Sequence, residues 1–346
     1  MICFRVDGNS QIGMGHIMRC LSIADAASRM GERCVFILSY DDCKGIVLSR
    51  GHEVNELNSD YSKMEPGDIL PALETYMPAI VFVDSYYVTP EYMKHTHDAC
   101  DHIGCKLIYV DDRCCFPYSC DVLLNYNIFV KKANYEKLYS GNPEPLFLLG
   151  TSYAPLRTEF QKTSKRIIED GVQNILISTG GADTEHLTID IVKEAAMRSD
   201  YSFHFVVGMM NPDRTVILEL SENYENIVIH ENVNRMDELM LFCDVAVSAA
   251  GSTLYELCAM GTPTITYVLA DNQIPAAKEF DAKGIIKNCG DIRNVGNKGL
   301  AKHLIEEAVC IAEKYDERKR ISELMGTVVD GHGAKRIIDT VLDYKG

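Results

Sequence analysis

Short apolar runs recur along this chain, and each is followed by a glycine or an aspartate and then by a helical pattern. In the first half the runs are ICFRV, CVFIL near residue 34, AIVFVD near 80, KLIYVDD near 106 and DVLLN near 121. Runs of this length without polar alternation read as strands buried on both faces, and the segments between them as crossover helices. A second series follows: NILISTGGAD, SFHFVVG, ENIVIH, DVAVSAAGSTLYELCAMGTPTITYV and GIIKNCG. With 346 residues, the chain exceeds what one core ordinarily holds. The alternation therefore predicts an α/β protein of two Rossmann-like, doubly wound halves facing a central cleft, with ligands at the carboxyl ends of the strands. The tract PEPLFLLGTSYAPLRTEF, with three prolines and one glycine, marks the junction. Residues 1–150 are expected to form the N-terminal domain and 151–330 the C-terminal domain, with 331–346 a last helix that could pack on either half.

Charge and cysteine usage exclude several classes. A formal charge of −16, from 34 Lys plus Arg against 50 Asp plus Glu, argues against a non-specific hold on nucleic acid or an anionic membrane. Thirteen cysteines is an odd count, and the start MICFRVDG has neither a basic region nor a long apolar run, so reduced thiols in a cytoplasmic protein are expected. No apolar stretch reaches the roughly 18 residues that span a bilayer. Cys114, Cys115 and Cys120 cluster without a paired C-x-x-C. His95, His97 and His102, with Asp98 and Asp101, read as a solvated helix surface. No metal and no cofactor is expected, and nothing demands more than a monomer.

The chemistry lies in the glycine turns. In SQIGMGHIMRC, residues 10–20, Gly13 and Gly15 permit positive φ and close backbone approach where a helix begins, which suits an anion or a polar sugar. A dinucleotide fingerprint is excluded, because Met18 stands where its third glycine would be, and no G-K-[ST] follows. His16 then falls on the first turn of the helix, where the dipole disfavours a charged ring. It reads either as a neutral imidazole able to act as a base or as a histidine satisfied by a local carbonyl.

The turn in DVAVSAAGSTLYELCAMGTP offers Ala250, Gly251, Ser252 and Thr253, small enough for a diphosphate to approach backbone N–H groups. Glu256 has two readings: with Thr253 it makes a capping box, or its carboxylate accepts from a ribose diol. STGGAD brings Gly180 and Gly181 either to the same ligand or to a plain turn. Asn272, next to Gln273 at a strand end, reads as a sugar contact or as turn chemistry.

Taken in order, RVDGNSQIGMGHIMRCLSIA, VDSYYVT, VDDRCCFPYSCDVLLN, GTSYAPLRTEF, STGGADTEHLT, VVGMMNP and VSAAGSTLYELCAMGTPTITYVLADNQ resemble the UDP-2,4-diacetamido-2,4,6-trideoxy-β-L-altropyranose hydrolases of pseudaminic acid biosynthesis, over about residues 2 to 280. The resemblance implies the two-domain GT-B fold, shared with the glycosyltransferase that makes lipid II. It implies that His16 is the base that activates water and that Asn272 touches the sugar near the reacting carbon. Tyr86, Arg157 and Glu256 are implied in substrate or nucleotide contacts, and Tyr87 stands where relatives commonly have glycine. The implied partners are a UDP-sugar and water, with UDP on the C-terminal half and inversion at the anomeric carbon. No D-x-D motif is present, so metal independence is expected. The rival expectations are an inverting glycosyltransferase of the same fold, a UDP-sugar 2-epimerase and a nucleotide-sugar binding protein without turnover.

Overall fold

The apolar runs build two all-parallel sheets, one in each of two units: Met1–Thr158 with His332–Gly346, and Glu159–Gly331. The computed structural model describes residues 1–9, 12–161, 166–180, 183 and 185–344. Gly181, expected in the nucleotide turn, lies outside the described residues.

In the first unit the strands are β1 (Ile2–Val6), β2 (Cys34–Leu38), β3 (Glu53–Glu56), β4 (Ile80–Asp84), β5 (Lys106–Val110), β6 (Val122–Asn125) and β7 (Leu146–Leu149). Their order is β3-β2-β1-β4-β5-β6-β7. Strand order thus reverses between β1 and β4, which pair in parallel with Val6 opposite Asp84. Crossover helices cover both faces, as buried parallel strands require. On one face Phe4 stacks on Phe36 and on Phe82, each at 5.0 Å between ring centroids. The first helix, α1 (Gly15–Arg29), packs there through Ile17, Leu21 and Ala24. Tyr92, Tyr109 and Val81 lie in the core of the other face.

Two of these strands are not among the apolar runs. β3 reads EVNE and is only half-buried, and β7 lies in the proline-bearing tract taken as the junction. Both are edge strands, where one side needs no partner and the burial signal weakens.

The unit boundary falls between Thr158 and Glu159, where 150/151 was expected, and the last helix, Gly333–Asp343, belongs to the first unit. The packing of that helix, left open by the sequence, accounts for the shifted boundary. Ala334, Ile337, Ile338 and Val341 enter the core beside α1, and Arg336 donates to the Ser152 carbonyl. Gly333 lies so close to the Ala154 backbone that a β-carbon would collide with it. Residues 151–158 are thereby tied to the first unit.

The second unit carries β8 (Asn174–Ser178), β9 (Ser202–Val207), β10 (Ile227–Glu231), β11 (Val245–Ala249), β12 (Thr264–Val268) and β13 (Lys287–Asp291), in the order β10-β9-β8-β11-β12-β13. Its reversal lies between β8 and β11, where Ser178 stands opposite Ser248. That register sets the turns after residues 178 and 248 side by side.

Candidate functional site

The turn after β1 is shaped by glycine and asparagine. Gly13 has φ of +78°, its N–H donates to the Asn9 carbonyl at 2.9 Å, and the Asn9 side chain accepts from Ile12 N at 2.9 Å. A β-carbon at Gly13 would meet open space, so it is the left-handed backbone that favours glycine there. Gly15 opens α1, whose first helical hydrogen bond runs from Met18 N to Met14 O at 3.0 Å. His16 follows on that first turn.

Because β1 and β4 are neighbours at the reversal point, the last residue of β4 arrives beside the head of α1. Asp84 is 1% exposed, and His16 and Arg19 are each 8% exposed. Asp84 Oδ1 lies 2.6 Å from His16 Nδ1. Arg19 grips the same carboxylate with both ends of its fork, Nε to Oδ2 and Nη2 to Oδ1, each at 2.6 Å. Its third nitrogen, Nη1, donates to Asp112 at 2.9 and 3.1 Å and to the Tyr126 hydroxyl at 3.1 Å. One guanidinium therefore joins two carboxylates, the planar arrangement for which arginine is suited.

Tyr86 completes the cluster. Its ring meets the His16 imidazole edge-on, with centroids 4.5 Å apart, and its hydroxyl donates to Asp112 Oδ2 at 3.0 Å. Asn127 Nδ2 donates to the other Asp112 oxygen at 2.8 Å. The adjacent Asp111 is turned into the core, where the hydroxyls of Tyr118 and Tyr135 donate to it. A shallow pocket opens against this cluster, lined by His16, Asp84, Tyr86 and Tyr87 together with Asp7 and Tyr61.

Burial on its own pushes the Asp84 carboxyl up. The Arg19 charge and then His16 outweigh it and hold Asp84 well below the usual carboxylate range. Burial, and next the Asp112 charge, push the Tyr86 phenol above its ordinary value, so it keeps its proton. The arrangement presents a histidine braced by a carboxylate at a pocket wall, which is chemically able to serve as a general base.

In the second unit, Gly180 has φ of +90° at the end of β8. After β11, Ala250 N donates to Tyr267 O at 2.9 Å and Gly251 N to Ala249 O at 2.8 Å. The helix Thr253–Met260 follows, with Ser252 exposed at its capping position and making no side-chain capping bond. Thr253 is thus the first helical residue, and the box that would pair it with Glu256 is displaced from the cap. Glu256 is half-buried on the first turn. Asp183 has a structural task, accepting from Leu187 N, Thr188 N and Thr188 Oγ1 at the head of the helix Leu187–Ala196.

The candidate residues divide between the units. His16, Gly13, Gly15, Tyr86 and Arg157 belong to the first, and among them His16 and Tyr86 touch. Arg157 is half-buried next to the short turn Thr158–Phe160. Gly180, Ala250, Gly251, Ser252, Thr253, Glu256 and Asn272 belong to the second, with Asn272 exposed on the turn Asp271–Gln273.

Sequence reasoning missed Asp84, Arg19 and Asp112. The signals were present: an arginine three positions after His16, on the same helix face, an aspartate directly after the apolar stretch AIVFV, and an aspartate pair after KLIYV of which the second, Asp112, faces the cluster. Elsewhere in this unit, His97 Nε2 lies 3.6 Å from Asp121, but the Lys106 ammonium lies 3.3 Å from the same carboxylate and supplies the positive charge there.

Residues 150–298 match the family model for the glycosyltransferase family 28 C-terminal domain. The chain is 26% identical over 286 residues to an uncharacterized protein of Methanocaldococcus jannaschii, covering 79% of this chain but only 56% of that relative. It is also 26% identical over 239 residues to the UDP-2,4-diacetamido-2,4,6-trideoxy-β-L-altropyranose hydrolase of Campylobacter jejuni, covering 68% of this chain and 80% of the relative. Among solved structures it is similar to MurG of Acinetobacter baumannii, with a TM-score of 0.65 at 10% identity over 99% of both chains. The fold is therefore GT-B, and the family 28 match is a similarity of residues 150–298. Among the described residues no helix is long and apolar enough to cross a membrane.

Proposed function

We propose that this GT-B protein is a nucleotide-sugar hydrolase, releasing UDP from a UDP-2,4-diacetamido-2,4,6-trideoxyhexose with inversion at C1, in pseudaminic acid biosynthesis. The observation that carries the reading is His16, braced on Asp84 at the strand-order reversal of the first unit and facing a pocket. The substrate class is supported by the ordered motifs and by the name of the Campylobacter relative.

In this reading His16 takes a proton from water as the water oxygen attacks the anomeric carbon on the face opposite UDP. The bond from that carbon to the diphosphate oxygen breaks, and its electron pair leaves with UDP. The turn at Gly180 and the small residues Ala250 and Gly251, whose own N–H groups are engaged by the Tyr267 and Ala249 carbonyls, leave room for the diphosphate, the Ser252 and Thr253 N–H groups donate to it, and Glu256 takes the ribose hydroxyls. Asn272, Tyr86 and Arg157 contact the sugar or the nucleotide, with Gly13 and Gly15 admitting the sugar close to the backbone. Each well-aimed donor to a departing oxyanion is worth about 3 to 4 kcal/mol.

The test is incubation of purified protein with the UDP-sugar alone in ¹⁸O-water. UDP should appear without any acceptor, with the label in the free sugar and inverted configuration in the first-formed anomer. Label in UDP would overturn cleavage at the carbon. A second reading, an inverting glycosyltransferase, is favoured by the family 28 match and the likeness to MurG. It predicts UDP release only when an acceptor hydroxyl is supplied.

A further inference from the structure

We infer that Asp84 is the positioning residue of the His16 base: it binds the Nδ1 proton and so leaves Nε2 as the basic atom, while Arg19 keeps Asp84 ionised. The role given to Nε2 rests on the hydrolase reading; the tautomer follows from the contacts alone.

His16 Nδ1 has two polar neighbours that make opposite demands. Asp84 Oδ1, at 2.6 Å, is an acceptor and requires a proton on Nδ1. Arg19 Nη2, at 3.0 Å, is a donor and requires a lone pair there. A ring nitrogen in the imidazole plane does one or the other. Arg19 Nη2 has two N–H groups, and its shorter contact, 2.6 Å, is to Asp84 Oδ1, so it stays satisfied without a bond to the ring. A bare Nδ1 would instead set its lone pair against a carboxylate oxygen 2.6 Å away with no proton between them. The carboxylate therefore claims Nδ1–H, and Arg19 Nη2 is a close neighbour without a bond to the ring.

Charge balance supports the same assignment. Arg19, Asp84 and Asp112 together carry one net negative charge in a largely buried cluster. When Nε2 accepts a proton from water, the imidazolium brings that cluster to neutrality, and the new charge is met in place. The titratable and charged groups facing the ring come from several elements: Asp84 and Tyr86 at the end of β4, Arg19 on α1 itself, and Asp112 after β5. Tyr126 after β6 binds Arg19, the Cys20 thiol donates to Asp84 Oδ2 at 3.5 Å, and Asp7 after β1 lines the same pocket while held by Arg5.

The direct test is ¹⁵N NMR of the intact protein labelled at histidine, with the His16 signals assigned by their loss in His16→Gln. The account expects neutral His16 with Nδ1 protonated and Nε2 bare; a protonated Nε2 would overturn it. In Asp84→Asn the ring should lose this tautomer preference. The kcat should fall by about 10² to 10⁴ with KM close to the wild-type value, and the acidic limb of the pH–rate profile should move to lower pH. A purely structural Asp84 would lower the active fraction and leave the profile in place. Should Asp84→Asn not fold, the wild-type spectrum decides. If the wild-type protein releases no UDP, the hydrolase reading fails while the tautomer result stands.

Discussion

Arg19→Met removes the one cation shared by two carboxylates while keeping much of the side chain's volume. Asp84 is 1% exposed and takes two of the guanidinium's hydrogen bonds; Asp112 is half-buried and retains Tyr86 and Asn127. The loss therefore falls mainly on Asp84. Breaking one side of a buried ion pair costs about 3 to 5 kcal/mol, because the remaining charge stays desolvated. For a unit comprising Met1–Thr158 and His332–Gly346, that corresponds to a fall in Tm of about 6 to 20 °C.

The pH dependence should change sign. In the wild-type protein the Asp84 carboxyl lies below its unfolded value of about 3.9, so its stabilisation is complete above roughly pH 4 and is lost as pH falls through the folded value. Without Arg19, burial remains the largest influence and pushes the carboxyl up, so the variant should gain stability as pH falls from 7 toward 5. Thermal unfolding followed by near-UV circular dichroism between pH 5 and 8 measures both quantities. A variant with wild-type Tm, or with a deficit that does not change with pH, would refute the reasoning.

Gly333→Ala should destabilise the first unit by about 1 to 3 kcal/mol in urea unfolding, because its β-carbon collides with the Ala154 backbone and the last helix must move off the core. Tyr86→Phe removes the hydroxyl that donates to half-buried Asp112 but keeps the ring on His16; a stability loss of about 1 kcal/mol is expected by the same assay. EDTA should leave the rate of UDP release unchanged; a rate abolished by EDTA and restored by magnesium would show that a divalent ion is needed.

Most strands were legible because their burial is written as uninterrupted apolar runs; in the second sheet the exception is β13, KNCGD, a mostly polar edge strand that only the preceding GII signalled. EVNE at β3 was not legible, since a half-buried edge strand carries polar residues, and LFLL at β7 was masked by the prolines around it. The first-unit site was half legible. The spacing of Gly13, Gly15 and His16 placed a histidine on the first turn of a helix after a strand. Its partner was invisible to local pattern, because Asp84 lies 68 residues along the chain from His16 and reaches it only through the parallel register of β1 and β4. An aspartate that ends an apolar strand reads equally well as a turn residue. The fate of the last helix depended on a contact between Gly333 and Ala154 that no periodicity encodes.

The claim that His16 performs the chemistry is tested most directly by His16→Ala, measured for both turnover and binding. Catalysis by this ring predicts that single-turnover release of UDP slows by about 10² to 10⁴ while the calorimetric Kd for UDP stays at the wild-type value. Release at the wild-type rate, with UDP binding intact, would contradict it.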